Sequence, residues 1–176
     1  LGYKGLRVLN ALDEDELRLI KDVVIAKDDA LINDYFEEIK HFCISHNLTF
    51  YNRNSEIKSN CDYLIAIGWR WLIKESNKII VIHDSILPRL RGFNPLVTAL
   101  INGDNEIGAT ALLAVEEFDK GPIIAQKTKT IHYPLKIKEA IEIVSEIYVG
   151  LVKTIISKIQ TNTLNLLNQN EDKSTY

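Results

Sequence analysis

The run Lys78-Ile79-Ile80-Val81-Ile82-His83 is the strongest β signal in this sequence and constrains the fold more than any other segment. Its apolar residues are consecutive rather than alternating. A strand of that kind is covered on both faces, which calls for helix layers on either side of a parallel sheet. Shorter runs recur at residues 23–26, 49–51 and 63–67, the last stopped by Gly68. Between them, apolar positions spaced by three or four residues predict helices over residues 3–12, 31–46 and 136–159. Residues 95–102 read as a short helix with proline in its first turn and Gly103 beyond its end. Residues 108–115 and 122–130 read as strands, the second alternating and therefore suited to a sheet edge. This order specifies an α/β, doubly wound, mostly parallel Rossmann-like sheet, in which ligands gather at the carboxyl ends of the strands.

Composition excludes several classes. Twenty-one basic against 24 acidic residues leave 21 − 24 = −3 charges, so the overall field offers no basic footprint for nucleic acid. No apolar run is long enough to span a bilayer. Two cysteines in 176 residues make no disulfide framework, so Cys43 and Cys61 read as reduced thiols of a cytoplasmic protein. Their spacing to His41 and His46 is a weak metal signal that helix packing explains better, and no metal is expected. The chain has no methionine and opens on Leu1-Gly2, a loop-like start, so further residues are expected ahead of it. Residues 161–176 are polar and Asn-rich and read as a linker, which leaves residues 1–160 as the folded domain.

Two loops carry chemistry. His83-Asp84-Ser85-Ile86-Leu87-Pro88-Arg89-Leu90-Arg91-Gly92 leaves the strongest strand, placing a histidine at a strand's carboxyl end ahead of two arginines. Phe118-Asp119-Lys120-Gly121-Pro122 is a second turn at a strand end. Taken alone, the histidine fits a backbone-bonded residue as well as an acid–base group, and the aspartate fits an ordinary turn.

Together the loops resemble a family. The pattern His83-x-Ser85-x-Leu87-Pro88-x-x-x-Gly92-x-x-Pro95, then Gly108-x-Thr110, then Asp119-x-Gly121-x-Ile123, is similar to that of the 10-formyltetrahydrofolate-dependent formyltransferases. The similarity is closest over residues 63–126. It implies a Rossmann-like catalytic domain that lacks its first strand here, an unstable fragment for that reason, and a linker toward a further carboxyl-terminal domain.

The resemblance also implies a mechanism. A primary amine attacks the formyl carbon of 10-formyltetrahydrofolate, served by an asparagine, a histidine two residues later and an aspartate; His83 and Asp119 match the last two. The asparagine position holds Val81, which donates nothing to an oxyanion, and Asn94 is the candidate replacement. Residues Trp71, Leu72 and Ile73, with Val115, Glu116 and Glu117, would hold the pterin. Lys4, Arg89, Arg91 and Gly92 would meet an anionic acceptor, given arginine's match to phosphate geometry. The favoured acceptor is a nucleotide-linked amino sugar. Alternatives are methionyl-tRNA and, because of Val81, a module that binds folate or a sugar nucleotide with impaired catalysis. The resemblance leaves the oligomeric state open, a homodimer included.

Overall fold

The computed structural model describes residues 2–55, 60–73 and 78–176. In chain order the elements are α1 (Gly2–Ala11), α2 (Glu14–Arg18), β1 (Asp22–Ile25), α3 (Phe36–Ser45), β2 (Thr49–Asn52) and β3 (Tyr63–Ala66). There follow β4 (Lys78–His83), α4 (Pro95–Ile101), β5 (Glu106–Leu113), β6 (Ile123–Thr130) and α5 (Ile137–Gln160).

Among the described residues the strands form two sheets, β1-β2 and β3-β4-β5-β6. The pairings β1–β2 and β3–β4 are parallel, as the continuous apolar runs imply. The pairings β4–β5 and β5–β6 are antiparallel. The short link from Leu113 to Ile123 explains the second of these, because a parallel return needs a crossover of a dozen or more residues. The strand β6 lies at the edge, as its alternation indicates. The two sheets are tied at both ends: Lys21, ahead of β1, donates to the Asn60 carbonyl ahead of β3, and Arg70, beyond β3, donates to Asp28 Oδ2 beyond β1 at 2.7 Å. The strands β1 and β3 therefore run in the same direction with no partner on one edge of each among the described residues.

The helix α5 covers β5 and β6 and packs on α1. Its buried face, including Val144, Ile147, Tyr148, Leu151 and Ile155, repeats at helical spacing. Each such side chain contributes about 1.5–3 kcal/mol on burial. Tyr148 also donates its hydroxyl to the Ile82 carbonyl at 2.7 Å, pinning the helix to the end of β4.

Two expectations are corrected. Residues 31–35 precede the helix rather than belonging to it: Asp34 accepts from the backbone N–H of Asp28 and of Phe36, Asn33 accepts from Tyr35 N–H, and Tyr35 stands at φ 59°. These local side-chain bonds compete with helix formation. After α1, Asp13 and Glu16 form a reciprocal capping box that starts α2. The expected linker is packed onto the domain. Leu167 bridges Ile123 in antiparallel fashion, Glu171–Lys173 make a 3-10 turn, and Thr175 bonds to the loop after β4. Among the described residues no helix is long and apolar enough to cross a membrane.

Candidate active site

His83 is the last residue of β4 and lies buried at 9% exposure. Its Nε2 is 2.9 Å from the Leu90 carbonyl. A carbonyl only accepts, so Nε2 carries a proton and the ring is oriented by that bond. The other nitrogen, Nδ1, faces Asp119 Oδ1 at 3.5 Å. The second carboxylate oxygen of Asp119 accepts from Gly92 N–H at 2.9 Å. Two residues 36 positions apart thus converge because the loop after β5 turns back toward the end of β4.

Both loops are held from below. The Thr110 hydroxyl, fully buried on β5, donates to the Ser85 carbonyl at 2.7 Å and accepts from Leu87 N–H at 3.1 Å. Gln126 on β6 donates to the same hydroxyl and to the Leu87 carbonyl. Gly121, buried behind Asp119, has no room for a side chain, since a Cβ there would stand 1.7 Å from the Leu113 carbonyl oxygen. Asp119 itself adopts φ 58°, a conformation strained for a non-glycine residue and maintained by its surroundings.

The remaining expected site residues fall into three groups. Leu72, Val115, Glu116 and Glu117 are exposed on the loops after β3 and β5, with Trp71 and Ile73 half-buried. The Trp71 ring stacks edge-on to Trp69 at 5.2 Å and lies under Arg53 at 4.8 Å, while Glu117 pairs with Lys120. Phe118 and Phe93, unforeseen, are 84% and 87% exposed on the two loops that carry the pair, so apolar surface is on offer there. Asn94 precedes α4 at φ 52° with an exposed side chain that makes no capping bond.

The cationic set is largely committed elsewhere. The Arg91 side chain is wholly buried, paired with Glu171 at 2.7 Å and bonded to Gln169, so the expected role toward an anionic acceptor is corrected. The Glu171 hydrogen bond holds that guanidinium charged beyond its ordinary range. Arg89 pairs with Asp104 at 3.0 Å, and Lys4 pairs with Asp84 beside the Tyr148 ring. Gly92 contributes its backbone N–H to Asp119 rather than to an acceptor. Burial, and then Asp84, push the Tyr148 hydroxyl well above the tyrosine range, leaving it a donor.

Gln169 was not legible as a site residue. Its Nε2 donates to the Asp119 carbonyl at 2.7 Å and to the Gly121 carbonyl at 2.8 Å. The Asn-rich tail around it gave no periodicity to read. A concavity of about 830 Å³ between α1 and α3 shares no residue with the site. Among the described residues no cluster of three histidine, cysteine or acidic side chains stands ready for a metal. Cys43 is buried within α3, its thiol pushed up to about 11 by that burial, and His46 stacks on Phe42.

A buried histidine with one nitrogen fixed and the other facing a carboxylate, at the end of a strand and beneath exposed loops, has the chemistry to exchange a proton with a bound group. Residues 56–143, half of the chain, match the Formyl transferase family, and the chain belongs to it. It is 27% identical over 124 residues to a methionyl-tRNA formyltransferase of Finegoldia magna, covering 67% of this chain and 40% of that protein. A methionyl-tRNA formyltransferase of Ehrlichia ruminantium is 32% identical over 148 residues, covering 74% of this chain and 48% of that protein. The chain therefore spans less than half the length of these curated relatives. In fold it resembles the N-formyltransferase of Helicobacter canadensis solved with folinic acid and dTDP-3-aminofucose, with TM-score 0.78, 18% identity and coverage of 99% of this chain and 67% of that one. It also resembles the formyltransferase PseJ of Anoxybacillus kamchatkensis, solved with UDP-4,6-dideoxy-4-formamido-L-AltNAc and tetrahydrofolate, at TM-score 0.65, 18% identity and 89% and 84% coverage.

Proposed function

We propose that this chain is the catalytic domain of an enzyme that moves a formyl group from 10-formyltetrahydrofolate to the primary amine of a nucleotide-linked amino sugar. The observation that carries the reading is the approach of His83 Nδ1 to the Asp119 carboxylate at 3.5 Å, on a strand end in a chain of the formyl transferase family. The amine nitrogen bonds to the formyl carbon, and the tetrahedral intermediate then breaks its bond to N10 of the folate. The amine's proton leaves through Nδ1 of His83, Asp119 or a water, and N10 takes one up. With Nε2 tied to Leu90, Nδ1 is the nitrogen free to exchange.

Exposed Leu72, Val115, Phe93 and Phe118 support an apolar seat for the pterin, with backbone groups near Leu72, Ile73 and Glu116 reading its edge. The sugar acceptor is supported by the fold likeness to sugar N-formyltransferases and by the net negative charge. Among the described residues β1 and β3 each leave one edge without a partner, which supports the further parallel strand between them that the resemblance implies.

A second reading, methionyl-tRNA as acceptor, is favoured by the curated relatives. The test is release of tetrahydrofolate by the full-length protein against a panel of nucleotide-linked amino sugars and methionyl-tRNA. Turnover with a sugar amine, insensitive to salt, is the expected result. Turnover with the tRNA alone, falling steeply with salt as phosphate contacts are screened, selects the second reading. Folate binding without any turnover selects the impaired module that Val81 suggests.

A further inference from the structure

We propose that Gln169 is a positioning residue whose carboxamide clamps the loop carrying Asp119 to the loop that orients His83, and so sets the spacing of the pair. The inference rests on the acid–base reading of that pair given above. Four bonds converge on this one side chain. Its Nε2 donates to the Asp119 carbonyl at 2.7 Å and the Gly121 carbonyl at 2.8 Å. Its Oε1 accepts from Arg91 Nε at 3.2 Å and from Arg91 Nη2 at 2.8 Å.

Arg91 stands between the two residues that touch the pair. Leu90 gives its carbonyl to His83 Nε2, and Gly92 gives its N–H to the Asp119 carboxylate, each at 2.9 Å. A closed circuit therefore runs from His83 through Leu90, Arg91 and Gln169 to Asp119 and back across the 3.5 Å gap. Only a carboxamide fits its corner, because two carbonyls there require donors while a guanidinium requires an acceptor. A carboxylate would meet the Asp119 and Gly121 carbonyls with lone pairs alone, and an apolar side chain would leave every partner unpaired.

The segment bearing Gln169 is anchored on both sides of it. Leu167 exchanges two backbone bonds with Ile123, at 2.8 and 2.9 Å. Beyond it, Glu171 pairs with Arg91, and Thr175 accepts from Leu90 N–H at its hydroxyl and from Arg91 N–H at its carbonyl. The clamp thus enters from a strap laid over both loops rather than from the sheet beneath them. Its leverage is large because the 3.5 Å gap is already longer than a good hydrogen bond, and reaction rates fall steeply with sub-ångström misplacement.

The test uses the full-length protein. Gln169→Glu keeps the volume and the Arg91 contact but removes both N–H donors; Gln169→Met removes all four bonds. Expected for both is a fall in kcat of about 10- to 100-fold with the folate KM within about threefold, together with moved ¹⁵N resonances of the His83 ring. A kcat that changes only with the folded fraction overturns the clamp, and so do unmoved His83 resonances, whatever the rates. Where Gln169→Met fails to fold, Gln169→Glu decides. A wild type that transfers no formyl group, but whose His83 resonances move on Gln169→Glu, overturns the proposed function and leaves the clamp standing.

Discussion

The imidazole of His83 is fixed from one side by the Leu90 carbonyl, which places a proton on Nε2, and faces a carboxylate on the other. The resemblance implies a side-chain donor two residues earlier. Val81 occupies that position, and alternate residues of a strand share a face, so its side chain lies on the His83 side of β4. An oxyanion donor is typically worth about 10²–10³ in rate. Val81→Asn is therefore expected to raise kcat at least tenfold with little change in the folate KM, measured by steady-state release of tetrahydrofolate. An unchanged kcat would mean that another donor already serves, and Asn94→Ala identifies it: its exposed side chain, unspent on capping α4, is free for that work. His83 and Asp119 were readable in the sequence because a motif of many fixed positions flags them. The fate of Arg91 was not. Its partners Gln169 and Glu171 lie some 80 positions away in a segment without hydrophobic periodicity, and an arginine beside a glycine reads as solvated or ligand-binding until its partners are known.

The elements that hold the site are β5 and β6 and the turn between them. Thr110 is buried with three bonds on one hydroxyl, so Thr110→Val keeps the volume while leaving Leu87 N–H and the Ser85 carbonyl unpaired. Unsatisfied buried groups cost about 1–3 kcal/mol, and a lowered denaturation midpoint with an unchanged m-value checks it. Gly121→Ala forces a methyl against the Leu113 carbonyl. Overpacking of this kind costs about 1–3 kcal/mol, and because relief displaces the Asp119 turn, kcat is expected to fall further than stability does. The strands and long helices were legible because their burial is repetitive: period-free apolar runs for β4, three- and four-residue spacing for α5. The start of α3 was not, because Ile32 and Tyr35 continue the apolar spacing while Asn33 and Asp34 draw backbone N–H groups into turns. Hydrophobic pattern reports which side chains sit inside; it does not report which polar side chains take hydrogen bonds from the backbone.

On the scale of the whole molecule, stability against pH follows from which groups the fold holds away from their ordinary values. The Arg91 hydrogen bond keeps Glu171 below its ordinary 4.5, and the backbone N–H groups of Asp28 and Phe36 keep Asp34 below 3.8. A carboxyl lowered by folding stabilises fully above its unfolded value, and that contribution is lost as pH falls through the folded one. On the alkaline side the shifts are upward. Burial raises Cys43 from 9.0 to about 11, burial raises Tyr148 well above 10.0, and the Glu142 hydrogen bond raises Tyr3. A thiol or phenol raised by folding stabilises fully below its unfolded value and loses that contribution as pH climbs through the folded one. The Tm is therefore expected to be level between roughly pH 5 and 9 and to fall on both sides. The acid limb carries a structural meaning. Protonating Glu171 leaves a wholly buried guanidinium short of its counter-charge and loosens the strap that reaches both loops of the site. Glu171→Gln is thus expected to lower the plateau and flatten the acid limb, read by melts across the range. Because the strap also holds the Asp119 turn, turnover at pH 7 should fall in the same variant; a lowered plateau with undiminished turnover would show that the strap stabilises the domain without tuning its chemistry.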